Sequence, residues 1–173
     1  GYQGVSHAEG SSVVGLAGAY TNNPGHIEAY ASAGDYGVAY ALGSETMSSA
    51  GSAYLSNTGY SIYAYAFAGD HGVATANAST VYGFVNAGSY STGPIFAYAH
   101  SGDYGTSAAL GNSTVAGTGN ADLFSSGGIY AGAISGYDGT STAIGAYVSG
   151  PTGATTLNYY GIDAYALSGD YGA

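Results

Sequence analysis

Ile27, Ala29 and Ala31 alternate with Glu28, Tyr30 and Ser32, and the same alternation returns in segments that start at Ile62, Ile95, Ile129 and Ile162. A period of two with a narrow apolar face predicts a half-buried strand, and Ile and Tyr both favour strands. A second alternating stretch runs from Val38 to Leu42, with equivalents at Val5 to Glu9, Val73 to Asn77, Thr106 to Leu110 and Thr140 to Ile144. Its fourth position is always alanine: Ala8, Ala41, Ala76, Ala109 and Ala143. A third, looser segment passes through Leu55, Tyr90, Leu123 and Leu157, next to a glycine column of Gly25, Gly59, Gly93, Gly127 and Gly161. No helix is expected, because the best candidate, Glu45 to Ala53, is too rich in Ser and Gly to hold one.

Between the first and second strands lies a turn, Gly34-Asp35-Tyr36-Gly37, repeated as Gly69-Asp70-His71-Gly72, Gly102-Asp103-Tyr104-Gly105 and Gly169-Asp170-Tyr171-Gly172. Gly136-Tyr137-Asp138-Gly139 swaps the central pair, and Gly1-Tyr2-Gln3-Gly4 is a further variant. Successive copies start 33, 35, 33, 34 and 33 residues apart. The chain is thus one repeat domain, with repeats at 1–33, 34–68, 69–101, 102–135 and 136–168 and a partial sixth at 169–173. Three short strands per repeat cannot bury a face alone, so the expected fold is an all-β parallel solenoid of stacked repeats. The turn glycines are expected to supply positive φ. Gly18, Gly51, Asn86, Gly119 and Gly153, midway through each repeat, hint at two coils of about 17 residues.

Segments such as Tyr36-Gly37-Val38-Ala39-Tyr40-Ala41 and Tyr160-Gly161-Ile162-Asp163-Ala164-Tyr165-Ala166 resemble the Tyr-Gly-Val-Tyr-Gly type repeats of bacterial secreted and tail-fibre-like proteins. The likeness covers nearly all of the chain, with Ala in place of the second glycine. It implies an extracellular β-helical fibre or stalk and assigns no functional residue.

Composition pulls the other way at first sight. Branched aliphatic residues are sparse and the net charge is −10, which by itself describes a disordered chain. The period outweighs this, because stacked coils need only a thin filling of Ala, Ser and Ile. With no Lys or Arg there is nothing to neutralise phosphate, so nucleic acid is excluded as a partner and anionic membrane surfaces are disfavoured. No apolar run is long enough to insert into a membrane. A start at Gly1 rather than Met and the lack of any trypsin site point to a processed chain, secreted and extracellular or on the cell surface.

In register, Asp35, Asp70, Asp103, Asp138 and Asp170 would line one edge. Each either caps its own turn by accepting a nearby backbone N–H or shares a cation such as Ca²⁺ with its neighbours. The Gly-Gly-x-Gly-x-Asp nonapeptide of calcium-binding β-rolls is missing. Two such carboxylates have the separation of a glycosidase pair, but a catalytic site breaks a repeat and these carboxylates are the repeat. His7, His26, His71 and His100 fall in four different columns and have no ligand spacing, and nothing resembles a nucleophile elbow. The chain is therefore expected not to be an enzyme. Scattered Thr argues against an ice-binding ladder. The tyrosine columns are expected to pack inward, the alternative being an outward ladder that stacks on sugar rings. Asn77-Ala78-Ser79 and Asn112-Ser113-Thr114 match the glycosylation sequon.

Gly1 to Ser11 aligns without gaps with Gly34 to Ser44, while Gly169-Asp170-Tyr171-Gly172-Ala173 stops inside a turn. The strand that would follow is supplied, in pattern, by the first residues. Gly1, Val5 and Ala8 on one side and Gly169, Asp170, Tyr171 and Gly172 on the other are the expected assembly interface of a head-to-tail homopolymer. The filament is expected to be built by such subunits or by a longer chain of which this is a piece, and the alternatives are an adhesin that binds glycans through its tyrosines and a trimeric interwoven β-helix.

Overall fold

The computed structural model describes residues 3–173, so Gly1 of the expected interface lies outside the described residues. The first coil is β1 (Val5–Gly15), β2 (Gly18–Asn23) and β3 (Ile27–Ser32), and the second is β4 (Val38–Ser48), β5 (Ser52–Asn57) and β6 (Ile62–Phe67). The third contains β7 (Val73–Gly83), β8 (Ala87–Ser91) and β9 (Ile95–His100), and the fourth β10 (Thr106–Ala116), β11 (Asn120–Ser125) and β12 (Ile129–Ile134). β13 (Thr140–Ser149), β14 (Gly153–Asn158) and β15 (Ile162–Leu167) complete the fifth. There is no helix among the described residues.

Like strands stack on like. Three five-stranded parallel sheets run β1-β4-β7-β10-β13, β2-β5-β8-β11-β14 and β3-β6-β9-β12-β15, the architecture of a β-solenoid. One repeat makes one coil, so the mid-repeat glycines mark a corner and not a second coil. The alanine column read from the sequence is a true rung-to-rung column: Ala8, Ala41, Ala76, Ala109 and Ala143 are paired in register. In such a stack the backbone N–H and C=O groups of each coil find partners in the next one, at a spacing of about 4.8 Å.

The long strands of the first sheet bend in the middle. In β4, Ala39 and Ala41 point inward, and then the phase reverses so that Ser44, Thr46 and Ser48 do. The ladder skips one residue there, pairing Leu42 with Glu9 and then Ser44 with Ser11. That residue is Gly43, where an added Cβ would lie 2.7 Å from Ile62 Cγ2 and 2.5 Å from the Ala78 carbonyl oxygen. A side chain at Gly43 would push against Ile62, and the same bend holds Gly10, Gly111 and Gly145 in other coils but the fully buried Ala78 in β7, so only a very small residue fits there.

This bend divides the interior in two. The first arm faces β3, β6, β9 and β12, where Ile62, Ile95 and Ile129 are fully buried among Ala64, Ala66, Ala99, Ala131 and Ala133. Small residues let the sheets close on one another around the isoleucines. The second arm faces β2, β5, β8 and β11 and is largely polar. Thr21 and Thr46 hydroxyls bond at 2.6 Å, and Asn112 Nδ2 donates to Ser89 Oγ at 3.0 Å and Ser79 Oγ at 3.2 Å. Thr114 donates to Asn112 Oδ1 at 2.8 Å. Buried polar groups are tolerated when they are paired in this way. Ser44 Oγ is the exception among the described residues, with no partner.

Candidate functional site

Three surfaces carry the chain's chemistry: the turn column, the outward aromatic columns and the faces of the end coils. In the turns, positive φ belongs to the non-glycine residues Tyr36, His71, Tyr104, Asp138 and Tyr171, at 50° to 64°. The glycines answer to a different demand. A Cβ on Gly69 would fall onto Asp35 Oδ1 and lie 2.7 Å from the Asp35 amide nitrogen, so each coil's turn sits too close to the previous one for any side chain. Glycine with positive φ occurs instead at the opposite corner, at Gly59 and Gly161.

The aspartates staple coil to coil rather than capping their own turns. Asp35 Oδ1 accepts from the Asp70 amide at 3.1 Å, Asp70 Oδ1 from the Asp103 amide at 3.0 Å, and Asp103 Oδ1 from the Tyr137 amide at 2.8 Å. Asp138 leaves this column. It takes the left-handed position that Tyr or His holds in the other coils, while Tyr137 occupies the aspartate place. Asp35, Asp70, Asp103 and Asp170 thus form one column broken at Tyr137. The described residues contain no cluster of three or more His, Cys, Asp or Glu able to hold a metal ion.

Aromatic rings run beside the carboxylates. Tyr36 stacks on His71 at 4.7 Å and His71 on Tyr104 at 5.0 Å, and Tyr137 meets Tyr104 and Tyr171 edge-on at 5.6 Å each. The swap at Gly136–Gly139 therefore keeps the aromatic column while interrupting the carboxylate column. Left-handed backbone costs about 1–3 kcal/mol for such residues, and stacking along the axis offsets part of it.

The tyrosines of the strands point outward, against the inward packing expected from their size. Alternation is the reason: Ile and Ala take the inner positions of β3, β6, β9, β12 and β15, and nothing as large as a phenol fits between sheets spaced by alanine. On this outer face Tyr63, Phe96 and Tyr130 stack at 4.8 Å and 4.6 Å, nearly parallel. Burial among these rings pushes the Tyr65 phenol above its ordinary value, with Tyr63 and Glu28 adding to the rise. Tyr98 is raised in the same way by burial, with a contribution from Tyr165.

The third segment divides differently from its sequence reading. Leu55 and Leu123 share an inward column with Ser89, whereas Tyr90 and Leu157 stand one position later with Ser56 and Phe124, facing outward. Chain-length differences at the preceding corner shift the alignment by one residue. A feature missed from sequence is the corner column Asn23, Asn57, Ser91, Ser125 and Asn158, whose side chains bond the carbonyls of Gly25, Tyr60, Gly93, Gly127 and Gly161. An Asn or Ser two or three residues before the glycine column was its signal.

The two sequons part company. Asn77 lies on the outer face with Nδ2 bonded to Tyr40 Oη, whereas Asn112 is fully buried and its amide is used inside the core. A glycan on Asn112 is incompatible with this packing.

The end coils have uncovered faces. Ile162 is 40% exposed, whereas Ile62, Ile95 and Ile129, in the same column, are at 0%. Val5 is 80% exposed on β1 and Ala8 half-buried, and at the other end Tyr171 is 84% exposed beside exposed Gly169 and Asp170 and half-buried Gly172. Beyond β13, Ala173 already takes the next place in the stack, its amide donating to the Gly139 carbonyl and its carbonyl accepting from the Ser141 amide. No helix among the described residues is long and apolar enough to cross a membrane. No protein-family model, curated protein or solved structure matches the chain.

Proposed function

We propose that the chain is an extracellular structural protein, not an enzyme, whose copies stack head to tail into a β-solenoid filament. The observation that carries this reading is the constant register of the three parallel sheets, in which each coil stacks on the next through the same alanine, isoleucine and corner columns. The first coil of a second copy presents those same columns to a fifth coil. Edge addition of this kind uses main-chain hydrogen bonds for affinity and coil register for specificity, and it grows a filament because the contact is heterologous and does not close. Electron microscopy of the purified protein tests it, fibres being expected without any ligand. Deleting residues 1–10 removes most of the first strand of the incoming copy; fibre growth should stop while the middle coils stay folded, and unchanged fibres would count against strand addition.

A second reading is favoured by the outward rings of Tyr63, Phe96 and Tyr130, which offer a flat apolar face on which sugar rings can stack. A glycan array separates the two, since the filament requires no glycan.

A further inference from the structure

The outer face of β2, β5, β8 and β11 differs from the flat aromatic face described above. Register places Tyr20, Tyr54, Gly88 and Asp122 in one outward column and Tyr90 and Phe124 in the next. Gly88 opens a gap in the first column, and Tyr54 leans into it: a Cβ on Gly88 would lie 2.6 Å from Tyr54 Cδ1 and 2.9 Å from Cε1. On the other side Tyr90 and Phe124 stack nearly parallel at 4.9 Å. These rings and Asp122 border an open groove of about 350 Å³.

We infer that this groove binds a compact organic cation, an alkylated ammonium head group of the choline or methyl-lysine kind. Ring faces are negative at the centre and attract a cation, most strongly one with little hydration to lose, such as a quaternary ammonium. Asp122 adds a full negative charge at the rim, and the chain has no Lys or Arg to neutralise it. The carboxylate sets the sign of the field at the rim, which selects a cation over a neutral or anionic guest of the same size, and any ring face open to the guest adds to it. The methyl groups of the guest gain apolar contact with the same rings. A sugar would gain only the stacking and would make no use of the field.

The test is titration with choline, followed by aromatic NMR signals of the intact protein, with methyl glucoside and acetate as controls. Choline should give a saturable shift of the Tyr54, Tyr90 and Phe124 signals and leave Tyr30, on another face, unmoved. Asp122→Asn and Tyr90→Leu should each weaken binding by roughly three- to tenfold. Asp122→Asn alters an exposed side chain and so keeps the result readable if Tyr90→Leu disturbs the sheet. An unmoved spectrum at choline concentrations up to about 0.1 M, well above the weak affinities such cages give, overturns the inference. So does methyl glucoside binding as tightly as choline, which makes the groove a sugar site, and so does undiminished binding by Asp122→Asn.

Discussion

Asp103 Oδ1 accepts a hydrogen bond at 2.8 Å from the backbone amide of Tyr137, a residue one whole coil further on. The carboxylate therefore acts between repeats, and its loss weakens stacking rather than the turn that contains it. Asp103→Ala should lower stability by about 0.5–1.5 kcal/mol in urea denaturation, while Asp103→Asn, which keeps an acceptor, should lose less. Asp138→Gly should cost nothing or stabilise slightly, because Asp138 lies outside that column at a φ of 50° that glycine adopts freely. Equal losses for Asp103→Ala and Asp138→Gly would show that the two carboxylates do the same work.

The turn glycines answer to coil spacing. A Cβ at Gly102 would fall onto Asp70 Oδ1 and lie 2.8 Å from the Asp70 amide nitrogen. Gly102→Ala should destabilise by about 1–3 kcal/mol, since backbone has to shift on two coils. Tyr104→Gly has the opposite balance, releasing left-handed strain at φ 56° and losing the stack on His71 at 5.0 Å, so its net change should be smaller than that of Gly102→Ala. Thermal melts of the two variants side by side check the order.

Isoleucine and alanine at strict two-residue spacing left one workable face, so the strands, the solenoid and the Ala8 to Ala143 column were legible in the sequence. The bend at Gly43 was not, because Ser and Thr at alternating positions suit either face and hide the phase reversal. The role of the turn glycines is not legible in the sequence, because positive φ shows in local sequence statistics whereas the distance to the next coil does not. Tyrosine orientation failed for a related reason: ring size argues for burial, and only the thin alanine-lined interior forces the rings out. Tyr90 lies as far from its turn as Leu55 does but not in the same column, because a shorter corner in the third repeat slides the third segment by one residue. Of the aspartate column, four of five members were legible from register, and the Tyr137-Asp138 swap removed the fifth.

The isoleucine column gives a comparison within one chain. Ile95→Ala empties a fully buried site and should cost about 2–5 kcal/mol. Ile162→Ala, at a site already 40% exposed, should cost well under half of that in dilute solution. At concentrations where copies stack, the Ile162 variant should instead show slower or weaker assembly, measured by sedimentation, while a loss independent of concentration would mean that no coil covers Ile162.

Alkaline pH should destabilise the fold through Tyr65 and Tyr98, both raised above the ordinary value of 10.0 by burial. Below pH 10 both phenols stay protonated whether the chain is folded or not, so their stabilising effect is complete there. Above pH 10 the unfolded chain ionises first, and stability falls until the pH passes the folded-state values. Melting temperature against pH should therefore bend downward near pH 10, and Tyr65→Phe with Tyr98→Phe should make the bend shallower.

The most direct test of the filament is its axial repeat, read by electron microscopy and fibre diffraction from the purified protein at increasing concentration. Five coils per copy predict fibres with a spacing of about 4.8 Å along the axis and a subunit repeat of about 24 Å. A monodisperse monomer from micromolar to millimolar concentration would contradict the account.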